Sequence, residues 1–250
     1  MIEGTGLSFS YGRGPAVDGI DVVSVPERLM GLIGPNGSGK STLLRLLHGR
    51  LRPASGRVMV DGRDLAGMSA RDIARSIAVV VQEHEPVVEL SAAEMVMLGR
   101  LPRGGLGGPA AADHAAAESA LEQVGLLAQA ERPLSAMSGG EQQRVMIARA
   151  MAQETEHLLL DEPTDHLDIR YQHEVLSTVR QLRRTSIVVL HDLNLAAQYC
   201  DELVLLDHGR IAARGTPDEV LRAEVLEPVY RIGVRRWDDD GIHLSFGLRD

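Results

Sequence analysis

The chain has 250 residues, with 35 Asp and Glu against 26 Lys and Arg, a net charge of −9 and 44% hydrophobic residues. That length can bury a substantial core and fits one large domain or a domain plus a subdomain, while the acidic excess argues against nucleic acid as the main partner. The single cysteine, Cys200, cannot form an intramolecular disulfide, which fits a reducing cytosol.

At the N-terminus, Met1-Ile-Glu-Gly-Thr-Gly lacks the basic-then-apolar pattern of a signal peptide. No run approaches the roughly 18 apolar residues of a spanning helix. Any membrane role is therefore expected to come through a partner. Leu7 to Tyr11, a Gly/Pro break at 12–15 and then Val17 to Val25 predict antiparallel strands and hairpins. Tyr11 is conspicuous in a chain with few aromatics. It can stack on an adenine ring, or it can be an ordinary strand tyrosine.

Met30-Gly-Leu-Ile33 predicts a short buried strand, and Thr42 to His48 an apolar-faced helix. Between them lies Gly34-Pro-Asn-Gly-Ser-Gly-Lys-Ser41, a full G-x-x-x-x-G-K-S loop. Strand, glycine loop and helix together predict a cradle of backbone N–H groups for phosphates, reinforced by the helix N-terminus. Gly34, Pro35, Asn36, Gly37, Ser38, Gly39, Lys40, Ser41 and Thr42 are thus candidate nucleotide-binding residues. Lys40 is expected to reach the β/γ-phosphates and Ser41 to hold Mg²⁺. The chain is expected to bind a nucleoside triphosphate.

Residues 49–56 read as a loop, followed by a strand, Arg57 to Asp61, that ends in an Asp-Gly turn. Residues 69–76 read as a helix and Ile77 to Val81 as a buried strand. Gln82 follows at the strand end, where open α/β sheets place ligands. Its amide can sense Mg²⁺ or a water, although alone it would be an ordinary polar terminus. Residues 91–100 and 110–130 are helical in pattern, interrupted by the glycine-rich loop 102–109. With no strand signals, this region reads as a small helical subdomain inserted in the α/β core.

Leu134 to Arg144 leads into a helix expected from Val145 to Gln153. Ser138, Gly139 and Gly140 stand before it as a second anion cradle. One nucleotide does not need two cradles in one chain. The economical explanation is that Ser138-Gly-Gly closes on a nucleotide held by another subunit. Glu156 to Asp161 is an apolar strand ending in an acid, placed to hold Mg²⁺ directly or through a bound water opposite Ser41. Glu162 can polarise the attacking water. Thr164 to Asp168 caps a helix from Ile169 to Leu182, and Ser186 to Leu190 is a buried strand ending at His191, which can bond the γ-phosphate or the water. Leu203 to Ala213 reads as a hairpin, Thr216-Pro as a helix start, and Val234 to Phe246 as a short hairpin appendix.

This set of motifs resembles the ATP-binding subunit of ATP-binding-cassette (ABC) transporters over essentially the whole chain. Tyr11 matches the adenine-stacking aromatic and Gly34–Ser41, with Thr42, the Walker A loop. Gln82 matches the Q-loop glutamine, Asp161 and Glu162 the Walker B aspartate and catalytic glutamate, Asp168 the close of the D-loop, and His191 the switch histidine. The family's usual Leu-Ser-Gly-Gly-Gln is here Met137-Ser-Gly-Gly-Glu141. Met97-Leu-Gly-Arg100, the stretch Ser138 to Gln153 and His191-Asp-Leu-Asn-Leu-Ala-Ala are similar to subunits importing ferric siderophores, haem or cobalamin. The Pro-His that this subgroup often carries after Gly-Arg is replaced by Leu101-Pro102-Arg103.

The resemblance implies a P-loop NTPase core, a mixed sheet with flanking helices, carrying an N-terminal antiparallel β part and the inserted helical subdomain. The expected domain spans 2–235, its helical subdomain about 86–150, and 236–250 forms the appendix. It further implies ATP and Mg²⁺, with Lys40, Gln82, Glu162 and His191 as catalytic groups and Ser41, Gln82 and Asp161 as metal ligands. The implied partners are a second copy in a head-to-tail dimer, an integral membrane permease at the cytoplasmic face of the membrane and, indirectly, an extracytoplasmic binding protein. A soluble cassette acting on ribosomes or DNA is the competing reading. Such relatives usually carry two cassettes or long coiled coils, which this chain lacks. A phosphotransferase using only the phosphate loop would leave Ser138-Gly-Gly and His191 without purpose. Exporter cassettes are often fused to membrane helices, which are also missing here.

Overall fold

The computed structural model describes residues 1–12, 14–81, 89–104, 108–165 and 167–248. The chain divides into two compact units, one made of Met1–Met68 with Arg183–Asp250 and one of Ser69–Leu182.

The first unit opens with β1 (Ile2–Ser10) and β2 (Pro15–Val23), an antiparallel pair with register shifts along β1. Strand β3 (Leu29–Ile33) is buried at every residue, the pattern of a strand covered on both faces. Helix α1 (Lys40–Leu47) follows the phosphate loop and buries Leu43, Leu44, Leu46 and Leu47. Strand β4 (Ser55–Val60) pairs with β1 and turns through Asp61 and Gly62 into β5 (Arg63–Asp64). Both turn residues have positive φ, 49° and 76°, the geometry the Asp-Gly signal calls for in a two-residue hairpin. The result is a four-stranded antiparallel sheet in the order β2-β1-β4-β5.

The second unit begins with α2 (Ala70–Ser76), capped by Ser69, and β6 (Ile77–Val80). Helix α3 (Ala92–Met97) carries a Ser91/Glu94 capping box. Helix α4 (Ala111–Gln123) stops well short of residue 130. Gly125 takes φ 69°, its N–H donates to Glu122 O at 2.9 Å, and Leu126 N–H donates to Leu121 O at 2.8 Å. This Schellman closure ends the helix where the alanine-rich pattern alone would let it run on. Helix α5 (Gly139–Ala152) starts six residues before Val145, and β7 (His157–Asp161), wholly buried, pairs in parallel with β6. Helix α6 (Ile169–Gln181) closes the unit.

The chain returns to the first unit with β8 (Thr185–Val189), α7 (Leu193–Tyr199), β9 (Glu202–Asp207) and β10 (Arg210–Gly215). Strands β8 and β9 flank β3 in parallel, and β10 adds antiparallel to β9, making a mixed sheet. Gly31 lets that sheet close on α7, because a Cβ there would lie 2.7 Å from both Cys200 Sγ and Leu203. Helices α8 (Pro217–Val220) and α9 (Ala223–Tyr230) lead to a terminal ribbon, β11 (Gly233–Asp238) with β12 (Ile242–Gly247). Among the described residues no helix is long and apolar enough to cross a membrane.

Candidate functional site

In the first unit, β3 delivers the chain to Gly34 and α1 takes it away from Gly39, so the loop sits at the C-terminal end of a buried parallel strand. The loop's shape is enforced. Gly34 has φ 143° and Gly39 has φ 104°, and a Cβ on either would collide with a carbonyl oxygen, Leu206 O or Ala16 O respectively. Gly37, φ 78°, faces open space, so it is needed for its backbone conformation alone. Ser38 is pinned from both sides: its N–H donates to Pro35 O at 3.2 Å, and its carbonyl accepts from Gly209 N–H at 3.0 Å.

Lys40 is 5% exposed, and its ammonium donates to Gly34 O at 2.8 Å and Pro35 O at 3.1 Å. The charge is thereby held over the loop instead of in solvent. The α1 N-cap is Gly39 with no side-chain cap, so no cap side chain competes with a phosphate for the first-turn N–H groups. Pro35 is half-buried, and Asn36 and Gly37 are exposed at the mouth.

His191 belongs to the same unit. Strand β8 runs beside β3, with Leu32 opposite Val189, and Leu190 N–H donates to Leu32 O at 3.1 Å. The exposed His191 therefore leaves the sheet at the same strand-end level as the phosphate loop. Tyr11, 60% exposed, lies just past β1 and meets Phe9 edge-on, with centroids 4.9 Å apart.

The second unit carries the other set. Ser138 is the N-cap of α5, in a reciprocal capping box: Ser138 N–H donates to Glu141 Oε2 at 2.7 Å, and Glu141 N–H donates to Ser138 Oγ at 3.3 Å. The Ser138 N–H is the main cause that holds the Glu141 carboxyl below its ordinary pKa. This explains the acid at the last place of the signature, since a capping box takes Glu or Gln there. Ser138 and Gly139 are exposed and Gly140 is half-buried, and the capping box takes up the Ser138 and Glu141 N–H groups, which leaves the Gly139 and Gly140 amides without intrahelical acceptors. Asp161, 3% exposed, ends β7. Glu162 follows with φ 54°, a left-handed conformation that costs on the order of 1 kcal/mol or more outside glycine. Gln82 lies outside the described residues.

Several supporting residues carried no readable signal. Gln143, one turn into α5, donates to Pro163 O at 3.2 Å and so ties the signature helix to the turn after Glu162. Arg144 lies 4.6 Å over the Tyr171 ring. Gln142 donates to Leu134 O and Met137 O at 2.9 and 3.1 Å, fixing the approach to Ser138. In the first unit, burial raises the Tyr230 hydroxyl well above its ordinary pKa. Burial likewise lowers His48, the C-cap of α1, from 6.5 to about 4.

A buried-lysine phosphate loop at a strand end, with a second open helix start elsewhere in the chain, defines a P-loop nucleoside triphosphatase. The profile of the ABC transporter family matches residues 17–165. The chain is 40% identical to a hemin import ATP-binding protein of Bordetella pertussis, over 92% of each chain. It is 39% identical to an iron(3+)-hydroxamate import ATP-binding protein of Bacillus subtilis, over 90% of this chain and 86% of that one. Among solved structures, a metal-chelate type ABC transporter in an inward-facing conformation matches with TM-score 0.85 and 26% identity, over 98% of this chain and 96% of that one. The chain belongs to the ABC transporter family and is an ATPase of that family.

Proposed function

We propose that this chain is the ATP-hydrolysing subunit of an importer, working as a head-to-tail homodimer bound to a separate integral membrane permease at the cytoplasmic face of the membrane. The observation that carries the dimer reading is the second helix start. The Ser138 N–H is taken by Glu141, but exposed Gly139 and half-buried Gly140 bring two further first-turn amides to the N-terminus of the 14-residue helix α5, while the chain already has a complete cradle at Gly34–Thr42. An anion-binding helix start with no anion of its own suits a phosphate held by another copy.

ATP enters with its adenine on Tyr11 and its phosphates wrapped by the loop amides and Lys40. Ser138-Gly-Gly of the partner subunit closes on the γ-phosphate. Glu162 polarises the attacking water, and His191 bonds the γ-phosphate or that water. Ser41 and Asp161 offer the hard oxygen donors that suit Mg²⁺, with the Gln82 amide as a third. The ion supplies neutralisation of charge developing on the β- and γ-phosphate oxygens. Positioning and charge neutralisation provide most of the rate. The domain is assigned to 2–235, with a helical part at about 86–150 that transmits dimer closure to the permease, and 236–250 as an appendix. An extracytoplasmic binding protein would present the cargo to the permease.

The proposed cargo is an iron chelate, a ferric siderophore or haem, or the related corrinoid cobalamin. The names of the two curated relatives above support the first two. The test is uptake in cells lacking the native copy, complemented with wild type or Glu162→Gln and offered labelled ferric hydroxamate, hemin and cobalamin in parallel. Uptake of one, lost in the variant, is expected. Failure of all three alongside intact ATPase activity would discard the cargo class and keep the enzyme.

A further inference from the structure

The ATP-site motifs leave the terminal ribbon unexplained. A two-stranded ribbon is marginal alone, and this one rests on the first unit through Val234 and Leu244, 8% and 5% exposed. An outer strand also carries backbone groups that need partners. At Leu244 one side chain supplies both. Leu244 N–H donates to Asn194 Oδ1 at 2.8 Å, and Asn194 Nδ2 donates to Leu244 O at 3.2 Å. A primary amide offers a donor and an acceptor side by side, as a neighbouring strand would.

Asn194 is the second residue of α7. The N-cap of that helix, Asp192, accepts from Asn194 N–H at 2.7 Å and from Leu195 N–H at 3.0 Å. His191 stands immediately before the cap. Upstream, Leu190 N–H is tied to Leu32 O of β3. The His191 backbone therefore spans two anchors. One is the sheet itself; the other is the first turn of α7, which the ribbon grips through Asn194.

We propose that Asn194 is a positioning residue for ATP hydrolysis. By pairing with Leu244 it fixes the first turn of α7 and with it the backbone carrying His191, so the terminal ribbon braces the hydrolytic site. The proposal rests on the assignment of His191 to the γ-phosphate or its water. Both groups of the Asn194 amide are spent on Leu244, so its effect runs through His191; a displaced His191 would slow the chemical step without weakening nucleotide binding.

The experiment is steady-state ATPase kinetics on the full-length protein with Asn194→Leu, the isosteric Asn194→Asp, His191→Ala and the double variant Asn194→Leu/His191→Ala. Asn194→Leu is expected to lower kcat about 10-fold with KM for ATP within about two-fold. Asn194→Asp keeps the acceptor for Leu244 N–H but sets a carboxylate against Leu244 O, so it should lose kcat in the same sense while preserving the fold. On the His191→Ala background, Asn194→Leu should cost nothing further, because its effect runs through a side chain already removed. An unchanged kcat in both Asn194 variants, or an equal additional loss on the His191→Ala background, would overturn the brace while leaving the role of His191 intact. An unchanged kcat in His191→Ala alone would instead overturn the assignment on which the proposal stands.

Discussion

Two helix starts in this protein are built for the same ligand chemistry by opposite means. Helix α1 begins at Gly39, in the left-handed region and with no side-chain cap, against the Ala16 carbonyl. Helix α5 begins at Ser138 in a full capping box, exposed to solvent. The first is shaped from inside: its glycines are obligatory, its lysine is tied to its own carbonyls, and Ser38, Lys40 and Thr42 are buried. The second is an ordinary, self-stabilised helix end whose special property is what it leaves uncovered. A cradle that must hold its ligand alone is moulded into the core, whereas one that completes a ligand held elsewhere has to stay accessible.

The largest break in this comparison should come from Gly39→Ala. Left-handed strain and the Ala16 collision together should cost about 2–4 kcal/mol of stability. Nucleotide affinity should fall roughly 100-fold or more as the amides are displaced. Thermal unfolding and calorimetric titration with ATP measure both, and a stable variant with unaltered affinity would refute the moulded-loop account.

A second effect falls on α1 alone, through its half-buried C-cap. The folded state holds His48 near pKa 4 against an ordinary 6.5, so between those values the unfolded chain takes up a proton that the native state refuses. Stability must therefore fall as pH drops from about 6.5 toward 4, by roughly 2–3 kcal/mol at the acid end from this group. His48→Gln should flatten that limb in denaturant titrations across pH. An unchanged acid limb would remove His48 from the account. Helix α5 ends instead at Gln153, whose amide donates to Ala74 O and to Ile77 O, and that end should not respond to the same pH range.

Smaller again is the cap of α5. Glu141→Ala should cost about 1 kcal/mol, whereas Glu141→Gln preserves the box and should be nearly neutral. Equal losses in the two would mean that charge, not the reciprocal hydrogen bonds, is what Glu141 contributes. Smallest in stability should be Gly139→Ala, where a Cβ meets nothing within 4 Å. The expected change lies within about 0.5 kcal/mol, with monomer nucleotide binding retained and ATP-dependent dimerisation lost in sedimentation. Such a result would set Gly139 apart from Gly39 as a glycine kept for what approaches it.

The legible parts of the molecule were those governed by local rules. The phosphate loop declares itself because glycine conformations and a lysine at fixed spacing permit few alternatives, and the strands β3, β7 and β8 because strands covered on both faces read as unbroken apolar runs. The start of α5 was hidden by Gly139 and Gly140, poor helix formers, although Ser138 and Glu141 carried the capping signal. The end of α4 depended on Gly125, a single residue set against a long alanine pattern. The left-handed Glu162 and the Asn194–Leu244 pairing, 50 residues apart in sequence, arise from tertiary packing that no local window contains.

The contact between Gly31 and Cys200 makes the sulfur useful in another way. It is the chain's one thiol, 6% exposed, packed where β3 meets the end of α7. An alkylating reagent can reach it only when that seam parts. The rate of its modification is therefore a clock on local opening of the strand that feeds the phosphate loop, read against the rate for a free thiol. The chain carries its own single-site reporter, at a position where ATP binding should slow the clock and global unfolding should release it.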